Sequence, residues 1–384
     1  MFLWLTQEVN GKPRFLSFAS PQSLLGLTQR DFLPRMTKSP TPEALDEYLQ
    51  AGTDGIMVDL QGRSVYFSQY VNSTFVDFIT NHDLTDPAKV RAMDPNTTFP
   101  ITDNKGALEL KAAWKLVSEG DDVSDMFTLA TDVAKLVNRG DKIVIDASQR
   151  EKARVALVGL HIAGVVNGHP EMIWATFEHK RNAPNVIDAQ RTSVGPDTVI
   201  SEQDFTFYRA GTSYAGCNQN PAATNRLKLD EATQTLSPVT QACRQFEFGN
   251  DPTDSKTAGN DRNIALLNES VAQQLDSTDV WGNYLEVGAI WFAAKDGLEP
   301  GMSLATDDIL TGSLKLSNST IETFTQTQSV MNNCFRCHNT KQEFPPKMNL
   351  DPLPATNLNI SHAFQNIYFW SQELNAADSR GDVE

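Results

Sequence analysis

The chain is poor in positive charge, in long apolar runs and in cysteine, and each shortage removes a class of function. Lys and Arg number 32 against 48 Asp and Glu in 384 residues, a formal charge of −16. A surface of that sign repels a phosphate backbone and an anionic bilayer alike, so nucleic acid is not expected as a partner. No stretch approaches the roughly 20 apolar residues of a spanning helix. The longest candidate, residues 155–166, is interrupted by Gly159, His161 and Gly164, so no membrane span is expected. There is no G-x-G-x-x-G and no P-loop, which removes the usual nucleotide-binding readings. No internal repeat is present, and the acidic residues Asp251, Asp254 and Asp261 lack calcium-loop spacing. The N-terminal run Met1 to Gln7 is apolar but has neither a basic segment nor a small-residue cleavage site, so it does not read as an intact secretion signal.

What remains is ample for a folded core, since 40% of the residues are apolar, and the length suits one large domain or two. Of only four cysteines, two lie in Cys334-Phe335-Arg336-Cys337-His338, the C-x-x-C-H pattern of covalent haem c attachment. Two thiols three positions apart on one helical turn can add to the two vinyl groups of one porphyrin. The next residue then offers an imidazole to the iron as axial ligand. Two other chemistries fit the same residues: half of a zinc site completed by Cys217 and Cys243, or a buried reactive dithiol. Ser319 and Glu322 form an S-x-x-E capping box, and Ile321, Phe324, Gln328, Met331, Phe335 and His338 recur at helical spacing. A helix over about Thr320 to His338 is therefore expected, with Met331 and Phe335 facing the cofactor beside Cys334, Cys337 and His338.

Haem c is attached outside the cytoplasm in bacteria, so the protein is expected to be periplasmic or otherwise exported, its signal removed. Cys217 and Cys243 bracket a turn-rich segment and suit a disulfide in such an oxidising space; two unpaired buried cysteines are the alternative. Since 46 residues follow His338, they cover only part of a porphyrin, and the upstream chain must supply much of the pocket.

Along the chain, helices are expected over Thr41 to Gly52, Asp125 to Asn138 and Asn263 to Ser277. Strands are expected over Lys142 to Ala147, Arg154 to Val166 and Met172 to His179, the last two forming a hairpin about Asn167-Gly168-His169-Pro170. Residues 181–261 read as long loops over a sheet, and Tyr284 to Phe292 as a strand or a short helix. The fold class is α+β. A body with a mixed or antiparallel sheet and helices spans residues 1–310, and a helical haem c-binding segment spans residues 311–384.

For the iron's second axial position the candidates are His362, at the start of an aromatic helix, Met348, ten residues beyond His338 and within an extended reach of about 33 Å, an upstream group, or none. Met348 as gap filler and His362 as helix cap are the plainer readings. Around the hairpin, His161, His169, Glu178 and His179 are candidates for moving protons to bound peroxide or another small substrate. On a strand, Trp174, Thr176 and Glu178 share one face, while Ala175, Phe177 and His179 share the other. Lys111 and Trp114 are a weaker version of the same idea. An ordinary strand with one wet and one dry face accounts for these residues too.

The stretches Gly106 to Trp114, Gly159-Leu160-His161-Ile162, Trp174 to His179, Asn182-Ala183-Pro184, Glu322-Thr323-Phe324 and the C-x-x-C-H motif resemble bacterial monohaem cytochrome c family proteins with one motif near the C-terminus. The similarity covers roughly residues 100–365 and implies one covalent haem c held by Cys334, Cys337 and His338; it assigns no substrate. The expected function is an oxidoreductase coupling electron transfer to a small-molecule substrate or peroxide. An electron-transfer cytochrome that docks a redox partner protein, and a haem-based diatomic gas sensor, are the alternatives.

Overall fold

A computed structural model describes residues 1–27, 55–186, 194–251, 254, 257, 259–303, 309–326, 333–345 and 350–381. Its centre is one antiparallel sheet of seven strands: β1 (Tyr66–Val71), β2 (Leu108–Leu116), β3 (Thr128–Arg139), β4 (Lys142–Val166), β5 (His169–His179), β6 (Tyr284–Phe292) and β7 (Leu310–Gly312). The spatial order is β7-β6-β5-β4-β2-β1, with β3 also paired to β4. The α+β class is as expected, and the sheet is antiparallel.

Strand β4 is the trunk. Its first half pairs with β3, and its second half lies between β2 and β5. The two strands expected over residues 142–147 and 154–166 are therefore one continuous strand. The hairpin to β5 turns at Asn167-Gly168, where Gly168 has φ of 78°, a left-handed conformation that glycine adopts without steric cost. Tyr284–Phe292 is a strand, because it completes the ladder beside β5.

Residues 125–138 correct the sequence reading: most of them form β3, not a helix. A register shift between Ala134 and Lys135 moves burial from Val133 on one side to Ala134 and Leu136 on the other. This breaks the two-residue alternation of a strand and leaves apolar spacings of three and four that imitate a helix. Pairing along β4 then decides the outcome over local preference. The helix expected over Thr41 to Gly52 lies outside the described residues.

The helices are α1 (Phe2–Thr6), α2 (Ser73–Asn81), α3 (Pro87–Ala92), α4 (Asn260–Gln274), the single turn α5 (Cys334–Cys337) and α6 (His362–Gly381). Helix α4 replaces the expected 263–277 span; of its stripe Ile264 is buried while Leu267 is exposed. Among the described residues, no helix is long and apolar enough to cross a membrane. Residues 181–261 are mainly loops with one short hairpin, Lys228–Asp230 with Thr235–Ser237. The Cys217–Cys243 disulfide ties them.

The sheet is covered on both faces. On one, Phe2, Leu5 and Phe15 pack against Leu110, Trp114, Leu160, Ile162 and Phe177. On the other, Val71, Ala163 and Trp174 meet Phe75 and Phe78 of α2, Phe335 of α5, and Phe364, Ile367 and Tyr368 of α6. The second face therefore receives both the C-x-x-C-H motif and the aromatic helix that follows it. Helix α6 is anchored there by Ser361, whose hydroxyl accepts from Phe364 N at 3.1 Å, and by Glu109 of β2, which accepts from Ser361 Oγ at 2.6 Å and from Ala363 N at 3.1 Å. A carboxylate at this end also meets the positive pole of the helix dipole.

Candidate functional site

The segment that carries the motif is not the long helix expected from Thr320 to His338. Its described parts hold a 3-10 turn, Thr323–Thr325, and the single turn α5. The reciprocal cap is shifted by one residue: Asn318 N donates to Glu322 Oε2 at 2.9 Å, and Asn318 Oδ1 accepts from Thr320 N at 2.9 Å. Ser319 is drawn instead to the buried carboxylate of Glu178. A long-range charge thus outcompetes the local cap. Met331 and Met348 lie outside the described residues.

Turn α5 starts at Asn333, whose side chain accepts from Phe335 N at 3.0 Å, and closes with His338 N on Cys334 O at 2.9 Å. Phe335 anchors it, fully buried 5.2 Å from the Phe292 ring and 6.3 Å from Trp174. With Phe335 turned inward, Cys334 and Cys337 are half-buried and their thiols are not bonded to each other.

The imidazole of His338 is fixed on three sides. The Trp174 ring lies 3.9 Å from it and the His362 ring stacks at 3.7 Å. Its Nδ1 lies 2.9 Å from the Ile360 carbonyl. A carbonyl only accepts, so Nδ1 carries the hydrogen and the neutral ring has its lone pair on Nε2. A backbone carbonyl on one ring nitrogen is the usual way a histidine is oriented to ligate through the other. These residues fit haem c: two thiols one turn apart, and an imidazole with its tautomer set, on three half-buried residues. His362 lies beside His338, not across from it, and its Nε2 reaches Cys337 O at 3.3 Å.

The same geometry bears on the competing chemistries. Cys217 and Cys243 are bonded to each other, so they do not complete a zinc site with the motif. Among the described residues, no three His, Cys, Asp or Glu side chains are grouped to hold a metal ion. Burial pushes the Cys334 thiol well above its ordinary range, and the Glu322 carboxylate pushes it further the same way. A reactive dithiol needs the opposite shift.

The sheet face beneath the motif carries an unusual row. Gln69, Lys111, His161 and Thr176 are direct cross-strand partners on β1, β2, β4 and β5, and Glu109 and Trp174 flank the row on the same face. His161 Nε2 meets Glu322 Oε1 at 2.9 Å. Glu322 is held below the usual carboxylate range: burial opposes this, but His161, Asn318 N and Lys111 prevail. Gly159 makes room for this segment, since a Cβ there would come within 2.4 Å of Thr320 Oγ1. His161 is therefore brought, with Glu322, to the sheet face on which the motif packs.

The other expected proton movers are dispersed. His169 sits at the hairpin end, its Nδ1 2.8 Å from the buried Glu171. Glu178 shares the face of Trp174 but is engaged by Arg244 Nε at 3.0 Å. Trp114 is buried with the opposite core, its Nε1 donating to Ser68 Oγ at 2.8 Å. His179 also faces that side. Its Nε2 donates to Asp125 O at 3.2 Å, and its Nδ1 accepts from Arg181 N at 3.2 Å.

Burial lowers the His179 pKa to about 4, against the pull of Asp125. The unfolded chain, with a histidine pKa near 6.5, then binds more protons than the fold between about pH 6.5 and 4, so this group's contribution is intact above that window and is lost as pH falls through it. Asp59, raised to about 6 by burial, acts in the opposite sense between about pH 4 and 6. We expect His179→Asn to flatten the acid loss of stability between pH 6.5 and 4, measured as the urea midpoint against pH. An unchanged slope refutes the assignment.

Sequence reasoning missed Gln69, and it read Glu109 only as part of a resembling stretch and Glu322 only as a cap and as part of another such stretch. The available signal was three charges, Glu109, Lys111 and Lys115, inside a strand buried on both faces, of which Glu109 and Lys111 lie on the motif's side. Compared with protein-family models, curated proteins and solved structures, the chain has no match in any of the three.

Proposed function

We propose that the protein is an exported c-type cytochrome with one covalent haem, acting as an oxidoreductase on a small-molecule substrate or peroxide. The observation that carries this reading is the placement of His338: a C-x-x-C-H imidazole packed against the rings of Trp174 and His362, with Nδ1 committed to a backbone carbonyl. Cys334 and Cys337 would hold the haem through two thioether links, which need no external oxidant, and His338 would offer Nε2 to its iron; the haem, when bound, would supply one-electron redox chemistry. Phe335 and Trp174 keep the attachment turn dry on its inner side. The Cys217–Cys243 disulfide supports an oxidising, extracytoplasmic location.

Catalysis is favoured over bare electron carriage by the His161–Glu322 pair. A carboxylate that accepts from Nε2 leaves the neutral imidazole basic at Nδ1, where it can take up and return a proton. To serve as a second iron ligand, His362 would have to leave both the His338 stack and the Cys337 carbonyl.

The test is the optical spectrum of protein matured in a host that attaches haem c. We expect a pyridine haemochrome of the two-thioether type that survives acid–acetone extraction, and a ferric spectrum that changes with peroxide and, after reduction, with carbon monoxide. A colourless product, or zinc in its place, overturns the reading. A low-spin spectrum indifferent to both ligands overturns its catalytic part in favour of an electron carrier.

A further inference from the structure

Gln69 is 5% exposed, and its Oε1 is buried with no hydrogen-bond partner. Its Nε2 lies 3.4 Å from Glu109 Oε1. That carboxylate only accepts, and it is already fixed by Ser361 and Ala363. The amide cannot be flipped without turning oxygen toward oxygen, so the lone acceptor is a fixed feature of the site. A buried acceptor left without a donor costs about 1–3 kcal/mol, which makes it a signal for a group that arrives with a hydrogen to give.

The surroundings say what kind of group. Neighbouring strands lie about 4.8 Å apart, so Gln69, Lys111 and His161 present an acceptor, a cation and a base side by side on adjacent strands. Lys111 reaches its ammonium over the Phe67 ring at 5.1 Å. His161 and Glu322 keep 16% and 23% of their side-chain surface accessible, although they lie at the middle of a covered sheet face. Solvent therefore reaches the row at its His161 end.

We propose that Gln69, Lys111 and His161 form the substrate subsite of this oxidoreductase, and that it takes a small neutral molecule bearing an ionisable hydroxyl. The hydroxyl hydrogen is first given to Gln69 Oε1 and then to His161 Nδ1. The O–H bond breaks, an N–H bond forms, and the electron pair stays on oxygen as an anion facing the Lys111 ammonium. The imidazolium so formed is compensated by Glu322, while Glu109 stays engaged with Gln69 and helix α6. A simple anion lacks the hydrogen that Gln69 requires. An ether lacks it too.

The inference rests on the reading of the site as a haem c oxidoreductase, so the experiment uses matured holoprotein whose haem content is first measured by haemochrome. Phenol and its methyl ether, anisole, are the probes, and binding is measured by equilibrium dialysis, which does not depend on haem colour or turnover. Phenol is expected to bind at least about tenfold more tightly than anisole, and Gln69→Met, similar in size, to lower phenol affinity about tenfold toward the anisole level. His161→Gln is expected to do the same. In nitrogen-15 spectra, phenol is expected to shift His161 Nδ1 toward its protonated position. Urea midpoints confirm that both variants fold. Equal binding of the two probes, or unchanged phenol affinity in folded Gln69→Met holoprotein, overturns the subsite and leaves the cofactor reading intact. Material without covalent haem overturns both.

Discussion

Protein matured from a chain carrying Cys334→Ala and Cys337→Ala together is expected to retain no porphyrin after acid–acetone extraction. The thioether links are the only covalent hold available, because Cys217 and Cys243 are spent on each other. His338 alone gives a reversible coordination bond that acid breaks when it protonates the imidazole. Each single substitution is expected to keep one thioether and a haemochrome band intermediate between the two-thioether and unattached forms. The measurement is the ratio of haemochrome absorbance to protein before and after extraction. A ratio in the double variant equal to that of the parent protein ends the cofactor proposal.

Glu178→Ala is expected to lower stability by about 3–5 kcal/mol. Glu178 is 1% exposed and Arg244 7%. The guanidinium is held at 3.0 Å from a carboxylate that also receives Ser319 N at 3.4 Å and the Ser319 hydroxyl. Truncation takes from the buried Arg244 the carboxylate it is bonded to, leaving Glu247 as its remaining opposing charge, and releases the segment that leads to the motif. Urea unfolding measures this directly, and Glu178→Gln, which keeps the shape and loses the charge, is expected to fall between. A parental midpoint for Glu178→Ala, accompanied by loss of turnover, makes Glu178 a proton mover after all. Glu178 is thus the one residue of the original hairpin set for which stability and chemistry give opposite predictions.

Much of the architecture was readable along the chain where the signal is local. Asn167-Gly168 between two β-branched runs announces the β4–β5 hairpin, and Trp174, Thr176 and Glu178 do share a face opposite Phe177 and His179. Two features escaped because their causes are not local. Strand β3 looks helical because its register shift at Ala134 alters the alternation of buried residues, and β4, the partner that makes it a strand, is recognised only once the pairing is seen. The cap before the motif moved from Ser319 to Asn318 because Glu178, 141 residues away, takes the serine hydroxyl. The candidate site divides the same way. Its attachment residues sit within five consecutive positions, whereas His161 and Glu322 are 161 residues apart, and Glu109 reaches Ser361 across 252.

The sequence by itself therefore determined the α+β class, the oxidisable cysteine pair and the C-x-x-C-H spacing on which the haem proposal rests, since spacing within one turn or one hairpin is a property of the chain. It did not determine which histidine would stand beside the motif, or that a glutamine would offer it a buried acceptor. Those were decided by antiparallel register: each strand's partner sets which side chains stand abreast, and a slip of one residue would have turned Lys111 and His161 to the opposite core.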